Sequence, residues 1–278
     1  MTYAGVFHTL EFVNKIISMI GIFDSGVGGL AYAKHLCSVL PQYDFIYLGD
    51  QLRVPYGGRS TESVKQMSEE CIKKLWGLGA NLIIVACNTA SAEALRGLQK
   101  KYPDKKILGV LIPGVEKALE GHGDIGVIGT RGTIYSHAYK TEIQKRDQTR
   151  NVFEIATPLL VPFIEEGMGK SPECKKICKK YLRSLKDAGI KNLILGCTHY
   201  PHIFEVFKKI MGSQVAIIDT GHEAAIKLID YLKRHSEVES QLSKCGKRVF
   251  YTTDCPENFG KQILRFYGEK VECKKMEL

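Results

Sequence analysis

The chain has 278 residues, 44% hydrophobic and 25% charged, a globular mix that excludes a disordered, collagen-like or coiled-coil protein. Lys and Arg number 39 against 30 Asp and Glu, and the net charge of +9 suits an anionic partner: nucleic acid, acidic lipid or a small anion. No apolar run approaches the ~20 residues of a membrane span, so no membrane role is expected.

Residues 1–19 carry apolar patches without a basic head or a small-residue cleavage site, and are read as an N-terminal extension. The core then opens with a predicted strand, Ile20–Phe23, which ends in Asp24-Ser25-Gly26-Val27-Gly28-Gly29 before a helix over Leu30–Leu40. Strand Phe45–Leu48 leads through Gly49-Asp50 to Arg53-Val54-Pro55-Tyr56-Gly57-Gly58 and a helix over Ser60–Leu78. Strand Leu82–Ala86 ends in Cys87-Asn88-Thr89-Ala90, and a helix covers Ala90–Lys101. Strands Ile107–Val110 and Ile125–Ile128 follow, the second running into Gly129-Thr130-Arg131-Gly132-Thr133 and a helix over Thr133–Gln144. A helix over Pro172–Ala188 precedes strand Asn192–Leu195 and the turn Gly196-Cys197-Thr198-His199-Tyr200-Pro201. Strand Val215–Ile218, helix Thr220–His235 and strand Arg248–Tyr251 complete the series.

Short apolar strands alternating with helices make a parallel sheet covered on both faces. Ligands of such sheets sit beyond the carboxyl ends of the strands, so function is sought in the residues just after each one. A weak internal repeat supports the same focus. IGIFDSGVGGL at 20–30 parallels IGVIGTRGTI at 125–134, and LIIVACNTAS at 82–91 parallels LILGCTHYPH at 193–202. Two such units would each carry a Cys-polar-polar turn, and facing units would bring Cys87 and Cys197 to one cleft.

Inverting a carbon acid without redox takes a base on one face and an acid on the other. Two thiols suit this, because their roles exchange with the direction of turnover. Each cysteine precedes a predicted helix, whose N-terminus favours the thiolate. Asp24 and His199 are placed to shuttle a proton to or from a thiol. Ser25, Asn88, Thr89, Thr133 and Thr198 offer a polar clamp, and the backbone N–H groups of Tyr56 and Gly57 can hold a carboxylate. Neither G-x-G-x-x-G nor a Walker A sequence occurs. The nine cysteines form no C-x-x-C pair, so no metal site is spelled out; Cys174 and Cys178, four apart, read as core thiols. Lys175, Lys176, Lys179 and Lys180 read as a solvated helix face. Free thiols suit a reducing cytoplasm.

GIFDSGVGGL, YLGDQLRVPYG, VACNTASA, GTRGTI, VPFIEEG, GCTHYP, DTGHEAA and the tail FYTTDCPENFGKQILRFYG together resemble the glutamate racemases, in the same order and from about Ile20 to Tyr267. The resemblance implies an α/β fold of two flavodoxin-like parallel-sheet domains related by a pseudo-twofold, with the active site in the cleft between them. Residues 20–112 plus 220–278 would form the first domain and 113–219 the second, with crossovers near Ile112–Gly114 and Asp219–Gly221. It implies interconversion of L- and D-glutamate with no cofactor and no metal, supplying D-glutamate for peptidoglycan. Cys87 would act on D-glutamate and Cys197 on L-glutamate, assisted by Asp24, His199 and Glu165, with Glu166 a surface residue. Asp24, Ser25, Tyr56, Gly57, Asn88, Thr89, Thr133, Thr198 and His199 would bind substrate.

A cytoplasmic homodimer is expected. Some relatives bind DNA gyrase, which nothing in this sequence supports, and nucleic acid is not an expected partner. The sequence departs from the family in the eighteen residues before MIGIFDSG, which makes Met19 a candidate initiator. Some relatives use such an extension in activation by a peptidoglycan precursor. The rival readings are an aspartate racemase, a maleate-isomerase-like enzyme of the same superfamily, or an anion-binding protein with incidental thiols.

Overall fold

The computed structural model describes residues 18–278. In chain order the elements are β1 (Met19–Asp24), α1 (Leu30–Val39), β2 (Phe45–Gly49), α2 (Thr61–Gly77), β3 (Ala80–Val85), α3 (Asn88–Glu93), α4 (Leu95–Lys101), β4 (Lys106–Gly109), α5 (Leu111–Glu120) and β5 (Ile125–Gly129). There follow α6 (Arg131–Tyr135), α7 (Ala138–Arg146), β6 (Val152–Ala156), α8 (Leu160–Glu165), α9 (Pro172–Asp187), β7 (Asn192–Gly196), α10 (Phe204–Met211) and β8 (Ala216–Asp219). The chain closes with α11 (Thr220–Arg234), α12 (Ser236–Glu239), β9 (Arg248–Thr252), α13 (Pro256–Phe266) and β10 (Cys273–Lys275).

The strands form two sheets. One has six strands in the order β10-β9-β2-β1-β3-β4, the other four in the order β6-β5-β7-β8. Every pairing between these strands is parallel. The order β2-β1-β3-β4 in the first sheet recurs as β6-β5-β7-β8 in the second, so the sequence repeat is a repeat of topology. β2, β5 and β7 are buried along their whole length and β1 everywhere but at Met19. That burial explains runs of apolar residues without alternation. The repeated glycines have matching jobs. A Cβ on Gly21 would stand 2.7 Å from Ile83 Cδ1, and one on Gly126 would stand 2.6 Å from Ile190 Cδ1. Each glycine therefore lets a neighbouring side chain press onto the central strand of its sheet.

Helix starts follow local chemistry. Ser60 caps α2 by accepting the Ser63 N–H at 3.2 Å, and Ser171 caps α9 by accepting the Cys174 N–H at 3.1 Å. Along α9, Cys174 and Cys178 are buried in the core while Lys175, Lys176, Lys179 and Lys180 are exposed.

Several elements differ from the expectation. The helix read over Ala90–Lys101 breaks at Ala94 into α3 and α4, and the one read over Thr133–Gln144 breaks where His137 adopts a left-handed conformation at φ 51°. β6 was not expected, because VFEIA at an edge is only half buried and lacks an apolar run. The first expected crossover, Ile112–Gly114, lies inside α5. Pro113 reads as a break, yet it stands in the first turn of that helix, where an N–H has no intrahelical partner anyway. α5 and α11 carry the chain between the two sheets and pack against each other.

Most of the expected extension lies outside the described residues. Its last two residues belong to the fold. Ser18 is fully buried, its N–H donates to the Gln241 carbonyl at 3.1 Å, and its hydroxyl accepts the Asn81 N–H at 3.0 Å; Met19 begins β1.

Candidate active site

The central strands of the two sheets deliver their carboxyl ends to one cavity of about 330 Å³. Cys87, from the end of β3, and Cys197, from the end of β7, both line it, at 4% and 6% exposure. Ser25 comes to it from the end of β1, and Thr130 and Arg131 from the end of β5. A roomier cavity of about 560 Å³ lies among α4, α5, α7 and α11, but no cysteine lines it. Both strand-end cysteines line the smaller one.

On the Cys197 side, Sγ is 3.7 Å from His199 Nδ1, and His199 Nε2 is 2.8 Å from Glu165 Oε1. Burial drives the imidazole toward its neutral form, but hydrogen bonding and charge from Cys197 and Glu165 outweigh it and raise its pKa to about 10. His199 is therefore an imidazolium at neutral pH, aimed at one thiol and anchored by a carboxylate. The loop after β1 comes close enough to matter. A Cβ on Gly28 would lie 2.3 Å from Thr198 Oγ1 and 2.5 Å from His199 Nδ1, so only glycine permits this approach.

On the Cys87 side, Sγ donates to Ser25 Oγ at 3.4 Å. Burial, then the nearby Asp24 carboxylate, push the thiol up to about 12 despite help from Ser25 and the Ala90 N–H of α3. The helix N-terminus expected to favour the thiolate does act here, but desolvation outweighs it. Cys87 is therefore held as a thiol at neutral pH.

Two residues expected on the wall stand behind it. Asp24 is fully buried, with its carboxylate accepting the Gly26 N–H at 3.0 Å and the Thr198 hydroxyl at 3.4 Å; burial raises its pKa, and His199 and the N–H donors oppose the rise. Thr133 is fully buried, its hydroxyl 3.3 Å from that of Thr89 and 3.1 Å from that of Thr130. The others, Ser25, Tyr56, Gly57, Asn88, Thr89, Thr198, His199 and Glu165, line the cavity. Asn88 also ties the two sheets together: its Oδ1 accepts the Tyr139 hydroxyl at 2.5 Å and its Nδ2 donates to Thr220 Oγ1 at 3.4 Å.

Tyr56 contributes backbone rather than phenol. Its hydroxyl donates to Asp50, which also accepts Arg53 Nε at 2.7 Å and the Thr253 hydroxyl at 2.9 Å. That buried network fixes the lip carrying Tyr56 and Gly57, which explains the Asp, Arg and Tyr of YLGDQLRVPYG. Tyr56 and Gly57 open a short 3₁₀ turn, whose first N–H groups have no partner inside it.

Sequence reasoning assigned no role to Arg131, took Glu166 for a plain surface residue and overlooked Val161 and Pro162 of α8, yet all four line the cavity. Arg131 follows a strand end and was within reach of that rule. Glu166 is exposed but sits at the mouth. Among the described residues, no group of three or more His, Cys, Asp or Glu is placed to hold a metal, and no helix is long and apolar enough to cross a membrane.

Comparison with known proteins agrees with this fold. The Asp/Glu/Hydantoin racemase family model matches residues 31–228. A glutamate racemase of Persephonella marina is 41% identical over 261 residues, 93% of this chain and 97% of the relative. The solved glutamate racemase RacE1 of Bacillus anthracis superposes with a TM-score of 0.88 at 34% identity, covering 94% of this chain and 98% of that one. A glutamate racemase of Francisella tularensis, solved with D-glutamate, gives a TM-score of 0.87 at 34% identity over 95% and 98% of the two chains.

Proposed function

The chain belongs to the Asp/Glu/Hydantoin racemase family, among the glutamate racemases, and from that premise we propose that it interconverts L- and D-glutamate by proton transfer between two thiols. The observation that carries this reading is the pair of cysteines from different sheets on the wall of one cavity.

L-glutamate presents its α-hydrogen to Cys197. The Cys197 thiolate takes that proton, leaving a carbanion at Cα, and the Cys87 thiol returns a proton to the opposite face. The product is D-glutamate, and the enzyme is left with a Cys197 thiol and a Cys87 thiolate. Starting from D-glutamate the same steps run backwards. The His199 imidazolium stabilises negative charge on Cys197 Sγ, and Glu165 holds the ring in place. Ser25 supplies a side-chain hydrogen bond at Cys87 Sγ, and Asp24 lies behind the cleft, bonded to the Thr198 hydroxyl. Thr89, Thr198 and the N–H groups of Tyr56 and Gly57 hold the substrate's charged ends. Arg131 meets the dicarboxylate at the cleft.

We read residues 20–112 with 220–278 as one domain and 113–219 as the other, a division supported by sheet membership. The enzyme works in the cytoplasm as a homodimer, and its D-glutamate feeds peptidoglycan. Circular dichroism tests the core of this reading: purified protein should abolish the signal of L-glutamate as the racemate forms. A constant signal would refute it, and faster loss with aspartate would favour the aspartate racemase reading.

A further inference from the structure

The Cys197 side is buttressed from the other sheet. Arg265 lies on α13, which connects β9 and β10 of the six-stranded sheet. Its Nη1 donates to the Glu165 carbonyl and its Nη2 to the Ile164 carbonyl, both at 2.5 Å. Those carbonyls end α8, which follows β6 of the four-stranded sheet. The last carbonyls of a helix have no partner within it, and a cation there is favoured. The next residue on α13, Phe266, sets its ring edge-on to His199 at 6.4 Å and to His202 at 4.6 Å.

Arg265 itself is exposed and is not part of the cavity wall. It grips the backbone of the residue whose carboxylate holds His199, and it grips two successive carbonyls, which fixes both position and direction. A single surface charge would fix neither.

The geometry points to Arg265 as a positioning residue for proton transfer at Cys197: by clamping the end of α8 from the opposite sheet, it holds Glu165 against His199. This rests on the two-thiol reading. Arg265 touches neither thiol, so its influence runs through Glu165 and His199. The charged and titratable groups facing His199 are Cys197 and Glu165, with Asp24 and His202 nearby. Of these, Glu165 is the one whose backbone Arg265 holds.

The test is a double-mutant cycle, with histidine NMR as a readout that does not need turnover. Arg265→Ala should lower kcat on the order of tenfold, as displaced catalytic groups do, with KM within about threefold. In a Glu165→Gln background the same substitution should cost less than about twofold, because the group it positions is already gone. Arg265→Lys, which offers a single nitrogen in place of a planar fork, should recover only part of the loss. The NMR titration of His199 should move down from about 10 by at least one unit in Arg265→Ala. An equal kcat loss in both backgrounds would make Arg265 a mere packing residue, and an unmoved His199 titration would overturn the proposal. A wild-type protein that leaves glutamate unchanged would defeat the two-thiol reading, while the NMR titration would still decide the clamp.

Discussion

The two thiols occupy corresponding turns of a repeated fold, yet their surroundings differ in kind. Cys197 has an imidazolium at 3.7 Å backed by a carboxylate at 2.8 Å. Cys87 has a serine hydroxyl at 3.4 Å and a buried carboxylate nearby, and its thiol is pushed up to about 12. The topology repeats, but the electrostatics do not. A symmetric scaffold can place two acid/base groups on opposite sides of a substrate while tuning each separately. Cys197 has a cationic partner, whereas burial and Asp24 favour the protonated form of Cys87.

The comparison is broken most severely by removing either sulfur. Cys87→Ser and Cys197→Ser should each lose racemisation on the order of 10²-fold or more, since a hydroxyl is a poor base at neutral pH. Steady-state assays in both directions check this, with the buried Cys174→Ala as a control that should stay near wild type.

Removing the carboxylate from one side should make that side alone slow. Glu165→Gln should cost about tenfold in kcat and raise the primary isotope effect on 2-deuterated L-glutamate above that on the D-enantiomer. His199 keeps its proton below about pH 10 and loses it above, so activity should fall on the alkaline side. Glu165 is one of the groups raising that value, so Glu165→Gln should move the alkaline limb to lower pH. A pH–rate profile that does not move would detach Glu165 from His199.

Ser25→Ala is the mirror experiment on the other side. It removes the side-chain hydrogen bond at Cys87 Sγ, worth about 1 kcal/mol or roughly fivefold. Here the isotope effect on 2-deuterated D-glutamate should rise instead. Equal isotope effects in both variants would mean that the two sides are not tuned separately.

The smallest effect belongs to Arg131, which lines the cavity and makes no ion pair among the described residues. Arg131→Ala should raise KM for glutamate a few-fold with kcat unchanged, and should weaken the dependence of kcat/KM on salt.

Much of this site was legible in the sequence because strand ends are local features. An apolar run that stops at Cys87 or Cys197 places a thiol at the edge of a parallel sheet without any tertiary knowledge. The repeat added that the two edges would meet at one cleft if the units face each other. What stayed hidden depends on contacts between distant segments. Asp24 looks like a wall residue until Gly26 and Thr198 are seen to draw its carboxylate inward. Thr133 looks like a clamp until its hydroxyl is found among those of Thr89 and Thr130. Arg265 lies a hundred residues from the carbonyl it grips, and no periodicity links the two. α5 was obscured by Pro113, which reads as a breaker unless its place in the first turn is known.

The central claim is that each enantiomer meets a different thiol, and the fate of the α-hydrogen tests it most directly. Wild-type enzyme is given L-glutamate, and separately D-glutamate, in deuterated water, and both enantiomers are recovered within the first turnovers for mass and NMR analysis. Two thiols on opposite faces predict product carrying solvent deuterium at Cα while the unreacted substrate keeps its own hydrogen. Product that retains the substrate's hydrogen, or substrate that exchanges before product forms, would contradict the account.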